Sequence, residues 1–174
     1  MIKPNEVQDR AQKLEEQNYK FRTFLRNRAD DDELDAQFLS LHNELFTEYD
    51  CCKCANCCKS FSVFLDNDDV KRIAAHLGLS ENDFVAKYLI EAEPAESDEE
   101  MPYKFKDKPC SFLCDDGRCQ IQDCKPGVCS GFPFTDQPDR LSSMYSIIGH
   151  AEVCPVVFEM LERLKVIYRF RNKA

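Results

Sequence analysis

Five cysteines fall within eight residues of this chain, in the run Asp50-Cys51-Cys52-Lys53-Cys54-Ala55-Asn56-Cys57-Cys58-Lys59. Embedded in the run is Cys51-x2-Cys54-x2-Cys57-Cys58. A two-residue gap lets two sulfurs reach one ion at about 2.3 Å while the backbone between them turns and offers N–H groups to them. Farther on come Cys110, Cys114, Cys119, Cys124 and Cys129, and then Cys154 next to Pro155, for eleven cysteines in 174 residues. Soft thiolates select zinc, copper(I) or iron–sulfur over magnesium or calcium. A lone buried cysteine is usually a small apolar filler. A crowd this dense, followed by a second group, points instead to a shared metal centre.

Compartment decides whether such thiols are ligands or cystines. Residues Met1 to Arg28 are charged throughout and lack the apolar stretch of ~7 to 15 residues that a secretory leader needs. No apolar run approaches the ~18 to 20 residues of a membrane span. The expectation is a cytoplasmic protein, in a reducing milieu where disulfides rarely persist. Twenty-three Lys and Arg stand against thirty-two Asp and Glu, a net charge of −9. That surface repels phosphate backbones and anionic lipid, so neither nucleic acid nor membrane is an expected partner. The basic end of the chain, Arg163, Lys165, Arg169, Arg171 and Lys173, reads as a solvated helix end complementing its own dipole. Hydrophobic residues make up 43%, with thirteen Phe, so metal need not be the sole source of stability.

The expected architecture is mainly α, an irregular α+β fold. An N-terminal helical hairpin (1–49) precedes a cysteine-rich metal-binding domain with short strands and a closing C-terminal helix (50–174). Residues 5 to about 28 carry a helical stripe of Val7, Ala11, Leu14, Phe21 and Phe24 or Leu25. Asp30 to Asp32 open a second helix with Leu34, Phe38, Leu41 and Leu45 on one face. This antiparallel pair is expected to serve packing or partner contact. Ser60 to Leu65 reads as a short strand, and Asn67 or Asp68 as the cap of a helix that stops at Gly78. Ser80-x-x-Asp83 resembles a capping box for a helix to about Glu91. Glu91 to Glu100, with Pro94, is expected to be a solvated loop. Pro109 to Pro133 holds five cysteines, three glycines and three prolines, too irregular to fold by burial alone. Thiolate–metal bonds are expected to hold it. Ser142 to Ile148 reads as a strand, and Pro155 as the first turn of a closing helix striped by Val157, Met160, Leu161 and Leu164.

The ordered series of these motifs resembles the CxxCxxCC family, also called the YkgJ-type cysteine-cluster domain. The likeness runs from the 51–58 cluster through a Phe-Ser-Val strand, Asp68 and Asp69, and Leu77-Gly78-Leu79-Ser80. It continues with Pro109-Cys110-Ser111-Phe112-Leu113, Arg118-Cys119-Gln120-Ile121, Lys125-Pro126-Gly127-Val128-Cys129 and Phe132-Pro133-Phe134, and ends at Cys154-Pro155, about residues 50 to 155. It implies metal ligands at Cys51, Cys54, Cys57, Cys58, Cys110, Cys119, Cys129 and Cys154, with zinc or an iron–sulfur cluster as cofactor. The family usually has Arg-Pro where this chain has Lys125-Pro126, a point ammonium in place of a planar fork. Gln122 replaces a frequent tyrosine. Cys52, Cys114 and Cys124 are additions to the pattern, open to use as spare ligands, redox thiols or packing.

Eight thiols exceed one tetrahedral site. One composite site is the favoured arrangement; two four-thiolate sites, or one zinc beside four inert cysteines, stay open. Adjacent Cys57 and Cys58 are expected to diverge and serve different metals. Zinc and iron–sulfur both accept four thiolates; iron–sulfur or iron is slightly favoured. Of the histidines, His42 and His76 read as surface or satisfied rings and His150 as the best non-thiol candidate. Lys53, Lys59 and Lys125 could offset thiolate charge. No phosphate loop, G-x-S-x-G elbow or H-E-x-x-H motif occurs. Electron transfer or metal handling is the leading function, with an oxidoreductase-like role open. The alternative is a zinc-stabilised interaction module, its partner docking on the N-terminal helices. Related clusters accompany a flagellin lysine methylase, so an enzyme acting on a protein side chain is a third and remote reading.

Overall fold

A computed structural model describes residues 1–93 and 101–171. The expectations for residues 94–100 and for Lys173 lie outside them. The fold is mainly α with a small antiparallel sheet, as expected. It divides into two compact units, one formed by 1–50 and 133–174, the other by 51–132. The closing helix thus groups with the N-terminal helices, not with the cysteine-rich stretch as expected.

The first unit is helical. Helix α1 (Val7–Arg28) and helix α2 (Asp31–Thr47) are joined by Ala29 and Asp30. Asp30 caps α2 by accepting the Glu33 N–H at 3.1 Å. The α2 stripe Leu34, Phe38, Leu41 and Leu45 is buried throughout. On α1 the buried residues are Val7, Ala11, Asn18, Phe21 and Leu25, so an asparagine fills one place of the apolar stripe. Ser142 to Ile148, expected as a strand, is instead the start of helix α8 (Met144–Ala151). The reason lies three residues past the window: Met144, Ile147, Ile148 and Ala151 follow helical spacing, and all four are buried. Helix α9 (Pro155–Ile167) buries its whole expected stripe and packs on α1, α2 and α8. Its basic end is less solvated than expected. Lys165 is 7% exposed and bonds Gln17 and Glu162, and Arg163 pairs with Glu44 and Glu159.

The second unit begins with two very short helices, α3 (Cys51–Cys54) and α4 (Asn56–Ser60), separated by Ala55 in the left-handed conformation (φ 51). Strand β1 is only Phe64–Leu65. Helix α5 (Asn67–Leu77) is capped by Asp66, one residue earlier than expected, and ends at left-handed Gly78. Helix α6 (Glu81–Tyr88) starts on Ser80, whose Oγ accepts the Asp83 N–H at 3.1 Å, and gives way to β2 (Leu89–Glu91). Glu91 is therefore a strand residue. Strand β3 (Tyr103–Phe105) lies between β1 and β2, pairing Leu65 with Tyr103 and Leu89 with Phe105. A 3-10 turn (Gln122–Cys124) and helix α7 (Gly127–Gly131) follow. The apolar cluster comprises Leu65, Val70, Ile73, Ala74, Phe84, Leu89, Phe105, Phe112, Ile121 and Cys124. Among the described residues no helix is long and apolar enough to cross a membrane.

Candidate metal centre

The stretch from Pro109 to Pro133, expected to be too irregular to fold by burial alone, has two apolar anchors. Phe112 and Ile121 are 2% and 1% exposed and belong to the apolar cluster. Phe112 stacks against Tyr88 and Phe105, with ring centroids 4.8 and 5.5 Å apart. Between these anchors the chain doubles back. The Gln120 N–H donates to the Phe112 carbonyl at 2.8 Å, the Cys114 N–H donates to the Arg118 carbonyl at 2.9 Å, and Leu113 and Cys119 form an antiparallel bridge. The tight turn uses Gly117 at φ +82, and a Cβ there would stand 1.8 Å from the Cys52 carbonyl oxygen. Only glycine lets the turn close on α3. The Cys110 N–H then bonds the Cys58 carbonyl at 2.9 Å, fastening this knuckle to α4.

These contacts bring four sulfurs into mutual electrostatic reach: Cys58 from α4, Cys110 and Cys119 from the knuckle, and Cys129 from α7. All four are half-buried. Burial pushes the Cys129 thiol up to about 12, helped by the charges of Cys58, Cys110 and Cys119 and opposed by Lys125. Burial likewise raises Cys110 and Cys119, although the Phe112 and Ile121 N–H groups hydrogen-bond the respective sulfurs and favour their thiolates. Cys58 moves the other way, down to about 6. A hydrogen bond from Cys57 is the main cause, outweighing burial, with Lys125 and Lys59 adding positive charge. Of the three lysines singled out, Lys59 and Lys125 thus face the thiols.

The sulfurs of Cys57 and Cys58 lie 4.0 Å apart, so these adjacent residues do not diverge as expected. Successive side chains turn by about 100° around a helix, but α4 spans only five residues. Cys54 is buried and Cys51 is exposed. Cys154 belongs to the helical unit, buried at the N-cap of α9. Of the three additions, Cys124 is a buried member of the apolar cluster, which is packing, whereas Cys52 and Cys114 are exposed. The eleven cysteines are thiols, not cystines. His42 bonds Thr135 at 2.9 Å, and His76 is exposed. His150, on α8, is half-buried, and burial lowers its pKa.

Among the described residues no group of three or more His, Cys, Asp or Glu side chains is arranged to hold a metal ion. The donor set nevertheless fits a soft metal. It consists of thiol sulfurs, with backbone N–H groups already aimed at Cys110 and Cys119. Hydrogen bonds of that kind stabilise the charged ligand form. Asp69 is a residue that sequence reasoning missed. It does not cap α5; its carboxylate takes the Gly127 N–H at 3.2 Å. Nothing in its local sequence signals a partner 58 residues away.

Residues 50–155, more than half of the chain, match the family model CxxCxxCC, described as a putative zinc- or iron-chelating domain. No curated protein and no solved structure matches the chain.

Proposed function

From the CxxCxxCC family, to which the chain belongs through residues 50–155, we propose that it holds zinc or iron in a thiolate centre of Cys58, Cys110, Cys119 and Cys129. The observation that carries this reading is the joining of the segments that bear them, through the Cys110 N–H on the Cys58 carbonyl at 2.9 Å and the Leu113–Cys119 bridge, with the Cys129 thiol in electrostatic reach of the other three. The lysines at 59 and 125 and the N–H groups of Phe112 and Ile121 offset the negative charge that four thiolates accumulate. Cys51, Cys54, Cys57 and Cys154 are kept as further proposed ligands on the family pattern alone. When bound, iron would supply a change of oxidation state and zinc would not.

The proposed role is metal handling or electron transfer in the cytoplasm. Structural zinc sites are typically closed, whereas these four side chains are half-buried and reachable from solvent. A second reading, a structural zinc staple, draws support from Cys110 and Cys119, which also pack against the apolar cluster. In that case the N-terminal helices, which expose Tyr19 and Leu39, are the proposed partner surface.

The test is elemental and sulfide analysis of protein purified without oxygen, followed by dithionite and an acceptor chelator. The expected result is stoichiometric zinc or iron that either changes its spectrum on reduction or passes to the acceptor. Metal that does neither, and whose removal unfolds the cysteine-rich unit, selects the staple. Protein with no metal retained by its thiols sinks both readings.

A further inference from the structure

Asp69 and Asp68 sit side by side on the first turn of α5, yet Asp68 is exposed while Asp69 is 5% exposed. A buried carboxylate is costly unless paired and hydrogen-bonded. Asp69 is both. Its two oxygens stand 3.2 and 3.4 Å from the Gly127 nitrogen, and Arg72, three residues along α5, forms an ion pair with it. Arg72 also donates to the Lys125 carbonyl at 3.2 Å. Helix α5 therefore grips the chain on both sides of Pro126, which has no N–H of its own. Gly127 opens α7, where the first N–H groups have no partner within the helix. The Cys129 N–H in turn donates to the Pro126 carbonyl at 3.0 Å, so the gripped segment determines where the Cys129 sulfur starts from.

We propose that Asp69 and Arg72 are positioning residues for Cys129, so that metal affinity depends on a carboxylate that touches no metal. The inference rests on the reading of Cys129 as a ligand. Partners that orient a ligand commonly change metal affinity by roughly 10- to 100-fold when removed. The comparison is among wild type, Asp69→Ala, Asp69→Asn, Cys129→Ser and Asp66→Ala. The last removes the α5 cap but leaves the grip on Gly127 in place, and so controls for loss of stability.

Cobalt(II) is the probe, its affinity read by chelator competition and its thiolate coordination by charge-transfer intensity per ion. Asp69→Ala is expected to lose about 10- to 100-fold in affinity and to shift its spectrum toward that of Cys129→Ser. Asp69→Asn should fall between it and wild type, while Asp66→Ala keeps the wild-type spectrum and affinity. Wild-type affinity and spectrum in both Asp69 variants, with Cys129→Ser altered, overturns the proposal. A wild-type protein that takes no cobalt through thiolates, or a Cys129→Ser variant identical to it, sinks the underlying reading instead. Should Asp69→Ala fail to fold, amide exchange at Gly127 in the metal-free protein decides. The amide is expected to exchange faster in Asp69→Asn than in wild type or Asp66→Ala, and equal exchange overturns the grip.

Discussion

The helical unit uses α1, α2, α8 and α9, of 22, 17, 8 and 13 residues. The unit from Cys51 to Phe132 makes do with strands of two or three residues and, at its thiols, helices of four or five. Helices so short do not persist alone, because nucleation fixes several residues for one hydrogen bond. The first unit can be stabilised by apolar stripes meeting one another. The second has the apolar cluster around Phe84, Phe105 and Phe112 and, beside it, the proposed thiolate centre of Cys58, Cys110, Cys119 and Cys129. On the proposed reading, metal is a local requirement of the cysteine-rich unit and not a global one.

Metal removal breaks that contrast most strongly. Apparent zinc-binding energies of small thiolate sites reach about 10 to 16 kcal/mol. Chelation is therefore expected to abolish amide protection between Cys110 and Cys129 while leaving α1, α2 and α9 protected, as read by hydrogen exchange. Unchanged protection in the knuckle would mean that the apolar cluster suffices.

Acidity comes next. Near pH 7 the metal-free protein holds protons on Cys110, Cys119 and Cys129, whose pKa values are raised, whereas Cys58, at about 6, is already largely ionised. Binding to four thiolates should then release about three protons per ion. Affinity must rise with pH, by about three decades per unit between roughly pH 7 and 8, and fall as the medium is acidified. Calorimetry in buffers of different ionisation enthalpy counts the protons. Four released at pH 7.5 would place the Cys58 thiol with the others.

Phe38→Ala and Phe112→Ala sharpen the comparison, since both rings are fully or almost fully buried, at 0% and 2% exposure. Each should cost about 3 to 5 kcal/mol in urea unfolding. Only Phe112→Ala should also weaken metal binding, because Phe112 anchors the stretch that carries the proposed ligands Cys110 and Cys119. Gly117→Ala combines an unfavourable positive φ with a collision at the Cys52 backbone carbonyl, so the turn and α3 must move apart. Thermal unfolding should register a loss above the about 1 to 3 kcal/mol that the positive φ alone costs, confined to the cysteine-rich unit.

Legibility follows the same divide. Leu34, Phe38, Leu41 and Leu45 could be read as a buried face because spacing along one helix is local information. So could Ser80 as a cap and Gly78 as a stop, each acting within a few residues. Helix α8 escaped because a seven-residue apolar window does not separate strand from helix until Ala151 is counted. Asp69 escaped because its partner belongs to another segment, and Phe112 because one aromatic among cysteines has no periodic company.

The amino-acid order alone determined the donor chemistry, the long helices and the family pattern, since thiol softness and helical periodicity are properties of residues and their near neighbours. The tertiary structure alone decided which sulfurs meet. Cys58 and Cys129 come into electrostatic reach in a unit where Phe112 is anchored in the apolar cluster, Gly117 closes against Cys52 and Asp69 bonds Gly127. Each of those contacts joins segments far apart along the chain, and their loop-closure entropy is recovered only when the packing forms together.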